Sequence, residues 1–117
     1  MLILYYNVDG GTQIGNISSL RDTKWATWTM TLGWSVQGIW PACASGDDIN
    51  AVDVDKTRKY IATADDYSSV KLFKYPSPVE YAQFIKYDGH SSHVTCVRFM
   101  KNNMIRLTES QLHRVIK

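Results

Sequence analysis

Tyr87-Asp-Gly-His-Ser-Ser-His-Val-Thr-Cys-Val-Arg-Phe99 reads as a Gly-His dipeptide feeding a strand whose apolar positions are Val94, Val97 and Phe99. The same layout stands earlier in the chain. Ile49, Val52, Val54 and Thr63 align with Val94, Val97, Phe99 and Thr108, each at an offset of 45. A period of ~40–45 residues with a Gly-His start points to the four-stranded blade of a β-propeller. A blade is an architectural unit without chemistry of its own, so the pattern favours a binding surface over an active site.

Outward from that stretch, alternation and turn residues predict the rest of the chain. Ile49 to Val54 is a strand, Asp55 to Lys59 a charged turn, and Tyr60 to Ala64 the next strand. Asp65-Asp66-Tyr67-Ser68-Ser69 is a turn, because Asp caps nearby backbone N–H groups. Val70 to Tyr75 is a third strand, broken by Pro76-Ser77-Pro78, and Ala82 to Tyr87 a fourth, outer one. Towards the N-terminus, Leu2 to Val8 and Thr12 to Ile17 read as two strands around the glycine turn Asp9-Gly10-Gly11. Trp25 to Leu32 alternates large and small residues with period two and reads as a strand. Pro41 ends any strand there, and Ala42 to Asp48 is a small polar loop. Towards the C-terminus, His93 to Met100 and Met104 to Thr108 are strands around Lys101-Asn102-Asn103. Ser110 to Ile116 fits a short helix as well as a strand.

The expected fold is all-β: about two and a half four-stranded antiparallel blades of a propeller, with an irregular C-terminal tail. Residues 1–41 form a partial blade, 42–87 a complete one, and 88–117 a partial, irregular one. A closed propeller takes at least about four blades, so the chain reads as a piece of a larger ring. A lone blade exposes faces and strand edges that neighbours would cover, which predicts weak stability in isolation.

Hydrophobic content of 44% and charged content of 21% are ordinary for a globular protein. A net charge of +2, from 13 Lys plus Arg against 11 Asp plus Glu, is too balanced to argue for nucleic acid. Lys56, Arg58 and Lys59 are the densest basic cluster and read as a solvated hairpin tip. No apolar run approaches the ~18 residues of a membrane span, and Met1-Leu-Ile-Leu-Tyr-Tyr lacks the basic start of a signal peptide. Cys43 and Cys96 make no disulfide framework, which suits reduced cytosol.

His90, His93 and Cys96 have metal-like spacing. Residues three apart on a strand point to opposite faces, so no metal is expected there. Asp47-Asp48 and Asp65-Asp66 lie in turns and read as caps rather than an acid–base pair. With no nucleophile–base pattern, phosphate loop or cofactor motif, neither an enzyme nor a cofactor nor a small-molecule substrate is expected. Trp25, Trp28 and Trp40 read as packing residues. Trp34, in a Gly-flanked loop, is the first candidate for contact with a partner, with Tyr67 and His93 beside it as candidates.

Several runs together resemble the echinoderm microtubule-associated protein-like branch of the WD-repeat family. They are Trp25-Ala-Thr-Trp28, Leu32-Gly-Trp-Ser-Val-Gln-Gly-Ile-Trp-Pro41, Asp48-Ile-Asn-Ala-Val52, Ala62-Thr-Ala-Asp-Asp66, Val70-Lys-Leu-Phe73, Tyr75-Pro76 and Gly89-His-Ser-Ser-His-Val-Thr95. The resemblance covers roughly Leu2 to Met100 and is to the last blades of that family's tandem propeller. It implies a cytoplasmic, cytoskeletal, non-enzymatic interaction module whose partner is tubulin or the microtubule. The competing reading is a general WD-repeat scaffold blade for another complex. The chain departs from the family pattern in three ways: it begins inside a blade, it has no coiled-coil segment upstream, and from Arg106 it lacks the Gly-Gly…Asp turn and a Trp-bearing last strand.

The resemblance also implies a buried network of His, Ser or Thr, Asp and Trp that ties each blade together. In the complete blade Thr63 and Asp66 take the Thr and Asp places, while Phe73 replaces the Trp and Ser45 the His. In the next blade His90 and Thr108 are present without the Asp and Trp. The expected structural network is therefore Thr63, Asp66, His90 and Thr108.

Overall fold

The computed structural model describes residues 3–41, 48–101, 105–109 and 113–116. Ser45 and Cys43, most of the 42–48 loop, Asn102, Asn103, Ser110 and Gln111 lie outside the described residues. Two antiparallel sheets dominate. The first has strands β1 (Ile49–Val54), β2 (Tyr60–Asp65), β3 (Ser69–Lys74) and β4 (Phe84–Asp88), in the order β1-β2-β3-β4. The second has β5 (Val94–Phe99), β6 (Ile105–Glu109) and β7 (His113–Ile116), in the order β5-β6-β7. The fold is an all-β propeller fragment. Within the segment that read equally well as helix or strand, the described residues His113–Ile116 are β7, paired with β6 from Thr108↔His113 to Ile105↔Ile116.

Period-two alternation sorts the first sheet's side chains onto two faces, and both are covered. Ala62, Ala64 and Val70 meet Val94 and Val97 of β5 and Ile105 of β6. On the opposite face Ile49, Val52, Ile61 and Phe73 meet Val36 and Ile39. β2 is consequently buried along five of its six residues, the pattern of a strand with apolar layers on both sides. The repeat shows in detail as well. The ladder shifts register between Ile49 and Ala51 in β1, and again between Val94 and Cys96 in β5, at the same place in each repeat.

Three sequence expectations are corrected. Trp25 to Leu32 forms no strand; it finds no ladder partner among the described residues and is held by its side chains instead. Trp28 Nε1 donates to the Met30 carbonyl at 2.7 Å and Trp40 Nε1 to that of Thr31 at 2.9 Å. Trp25 stacks on Tyr5, with centroids 5.8 Å apart, and meets Trp28 edge-on at 6.0 Å. The strand pair expected at the N-terminus is a tight hairpin with one bridge, Tyr6↔Gln13, turning through Gly11 at φ 64°; the chain then enters a 3-10 turn, Ile17–Leu20. The fourth strand begins at Phe84 rather than Ala82, because Tyr81 turns through a left-handed φ of 59° and interrupts the extended chain.

The segment that covers the outer face of β1 and β2 is a 3-10 helix, Trp34–Ile39. It is clamped to the loop after β3. Gly38 N donates to Ser77 O at 2.6 Å, and Ser77 N donates to Ser35 O at 2.7 Å.

Candidate protein-interaction surface

The turn between β2 and β3 is built by a buried aspartate. Asp65 is 4% exposed, and its Oδ1 accepts from the backbone N–H groups of Tyr67 and Ser69, each at 2.9 Å. Ser69 Oγ then donates to Asp88 Oδ1 at 3.0 Å, tying the turn to the end of β4. Asp65, one of the two adjacent aspartates that read as turn caps in the sequence, is thus the carboxylate that closes this turn. Asp66 faces the next sheet. Its Oδ1 accepts from Asn50 Nδ2 at 2.8 Å and lies 3.0 Å from His93 Nδ1. Asn50 Nδ2 also donates to the Val94 carbonyl at 2.9 Å, so one carboxamide bridges both sheets.

The other expected network residues are placed as follows. Thr63 is 1% exposed in the middle of β2, between Val52 and Lys71 in the ladders. Phe73, in the Trp place, is buried, with its ring 5.3 Å from that of Phe84. His90 is half-buried and engaged with its surroundings. Thr108 pairs through its backbone with Cys96 and His113. The structure thus joins Asp66 to His93, a residue expected only as a partner contact. No group of three His, Cys, Asp or Glu side chains comes together among the described residues, and no helix there is long and apolar enough to cross a membrane.

Of the candidate contacts, Tyr67 and His93 share this end of the sheet. Tyr67 is 67% exposed, and its hydroxyl donates to Asp48 Oδ2 at 3.3 Å. The Asp48 charge, helped by Asp66 and Asp65, raises the phenol above its ordinary value of 10.0. Trp34 stands apart. It is 40% exposed, carries the Arg21 guanidinium 5.4 Å from its ring centroid, and lines a groove at the opposite end of the strands. That groove has a volume of about 1570 Å³ and runs between the N-terminal aromatic cluster and the β1–β2 turn.

The β1–β2 turn is itself rigid. Asp55, nearly buried, accepts from the Lys59 and Tyr60 N–H groups at 2.9 and 3.0 Å and from the Thr57 hydroxyl. Burial alone would raise its carboxyl; the hydrogen bonds from Thr57 and from the Tyr60 and Lys59 amides outweigh that and hold it below the ordinary value of 3.8. Asp53 reaches across to the second sheet, where its Oδ2 accepts from Phe99 N at 2.8 Å. Sequence reasoning missed Asn50, Asp53 and Asp55. The available signal was three polar residues set at short intervals into an otherwise apolar strand and its following turn.

Comparison with known proteins is consistent over most of the chain. Residues 1–109 match the echinoderm microtubule-associated protein second beta-propeller. Echinoderm microtubule-associated protein-like 4 of Homo sapiens is 45% identical over 102 residues, which are 86% of this chain and 10% of that protein. Echinoderm microtubule-associated protein-like 2 of Mus musculus is 44% identical over 106 residues, 91% of this chain and 16% of that protein. Echinoderm microtubule-associated protein-like 1 of Mus musculus is 45% identical over 98 residues, 84% of this chain and 12% of that protein. The chain thus spans between 10% and 16% of the length of these relatives.

Proposed function

Because the chain belongs to the echinoderm microtubule-associated protein-like family, we propose that it is a non-enzymatic protein-interaction module that binds tubulin or the microtubule. The family match over residues 1–109 carries this reading, since it takes in every element from the N-terminal hairpin to β6. The relatives are named as microtubule-associated, and this chain would act with them at the cytoplasmic cytoskeleton. Within it we assign residues 42–87 as the complete blade, with 1–41 and 88–117 as its partial neighbours. Thr63, Asp66, His90 and Thr108 serve the architecture. Trp34, Tyr67 and His93 are the exposed side chains offered to a partner, at two ends of the sheet rather than in one patch.

Co-sedimentation of the 117-residue chain with polymerised tubulin tests the proposal. The chain is expected in the pellet in a tubulin-dependent and saturable way, and free tubulin dimer is expected to compete it off. A chain that stays in the supernatant at every polymer concentration overturns the reading. Pelleting that free tubulin does not relieve would instead favour a general scaffold blade.

A further inference from the structure

The two ends of the first sheet carry opposite charge. Where β1 turns into β2, Lys56, Arg58 and Lys59 are exposed, and Lys74 closes β3 beside them in register with Tyr60. At the other end stand Asp48, Asp65, Asp66 and Asp88. The six residues of β2 separate these ends by about 17–20 Å. That is more than twice the ~8 Å screening length at physiological ionic strength, so neither end neutralises the other. A net charge of +2 conceals this segregation.

The acids that line the groove offset little of this charge. Asp55 is consumed by its own turn and Asp53 by the Phe99 amide, which leaves Asp22, whose Oδ1 lies 3.9 Å from Arg21 Nε. Asp55 fixes the backbone of the turn from which the exposed Lys56 and Arg58 side chains extend. Arg21 and Lys24, from the other side of the groove, bring two more cations to it, and Trp34 and Tyr75 supply apolar walls. At about 1570 Å³ the groove exceeds the ~300–1,000 Å³ of small-molecule clefts.

We propose that this groove and the basic turn beside it receive an acidic, extended peptide segment of a partner protein. Carboxylates lie over Lys24, Lys56 and Arg58, and one apolar side chain rests against Trp34. The proposal rests on the interaction-module reading above and names the chemistry of the segment bound. An aromatic anchor ringed by cations suits that ligand, with the charges governing encounter rate and the ring holding the complex.

The test uses fluorescence anisotropy with a labelled Glu-rich peptide carrying one Tyr. Lys56→Glu combined with Arg58→Glu is expected to weaken binding about tenfold or more, while Lys86→Glu, on β4 away from the groove, leaves it within about twofold. Equal effects of the two variants, or none, overturn the proposal. Far-UV circular dichroism checks that the variants fold. The unmodified chain provides an arm that needs no substitution: affinity must fall as salt rises from about 0.05 to about 0.15 M, and a flat response overturns the proposal. Competition by single-stranded RNA as effective as by the peptide also overturns it, in favour of a nucleic-acid surface. Co-sedimentation run in parallel separates the two readings. Microtubule binding that survives the double change keeps the proposed function and removes this surface; peptide binding without tubulin binding does the reverse.

Discussion

Asp55 uses both carboxylate oxygens on its own turn, and its ionisation is therefore coupled to folding. Its folded pKa lies below the ordinary 3.8. A carboxyl depressed by folding stabilises the native state fully above the unfolded value and loses that contribution as pH falls through the folded one. Asp55→Asn is accordingly expected to cost about 1 kcal/mol near neutral pH. The gap between variant and parent melting temperatures should be widest above about pH 4 and close as the pH drops further; a gap that is constant from neutral pH to about pH 3 would show that the turn does not depend on the charge. Single residues were also where the sequence was hardest to read. Asp65 and Asp66 are chemically identical and adjacent, and which one caps the turn depends on the face of β2 from which each leaves. Asp65 still pairs in the ladder, with Ile49, and stays inside, while Asp66 has turned outward to Asn50 and His93.

The 3-10 segment Trp34–Ile39 is held to the sheet by close backbone approach at Gly38. A Cβ there would lie 2.2 Å from the Val79 carbonyl oxygen and 2.8 Å from that of Ser77. Gly38→Ala therefore requires the segment or the loop to move, at an expected cost of about 1–3 kcal/mol in chemical denaturation. Gly15→Ala, whose new methyl meets nothing within 4 Å, is the matched control and should leave the denaturation midpoint almost unchanged. Strands β1, β2, β3 and β5 were legible because each combines apolar alternation with a turn residue at both ends. Trp25 to Leu32 has the alternation without the partner. Pairing is a property of two segments, and one segment's periodicity does not report it. The 3-10 helix was not visible because Gly33, Gly38 and Pro41 read as breakers, while its reason for forming lies in Ser77, thirty-eight residues beyond Ile39.

Taken whole, the molecule is a stack of sheets rather than a rounded core. Its radius of gyration is 14.8 Å, against roughly 13 Å for a compact domain of this length. Val79, Tyr81, Phe84 and Ile85 are all exposed around the outer strand β4. Stability shared across sheet interfaces falls when an interface is missing, so the isolated chain is expected to melt below about 60 °C; one cooperative transition above that temperature, followed by calorimetry, would show that the two sheets suffice on their own. The repeat offset of 45 made the stacking legible before any strand had been placed, whereas the links that fasten the stack did not follow from it. Asn50 and Asp53 in β1 reach forward to Val94 and Phe99 of β5. Their counterparts in β5 are Thr95 and Arg98, and an arginine has no acceptor oxygen with which to repeat the Asp53 contact. The sheet interface therefore has a leading side and a trailing side that are not interchangeable. Such a contact is heterologous: two copies of this chain do not form a two-fold dimer through it, and sheets added by the same rule build a directional array that closes into a ring only when the rotation per sheet divides the full turn.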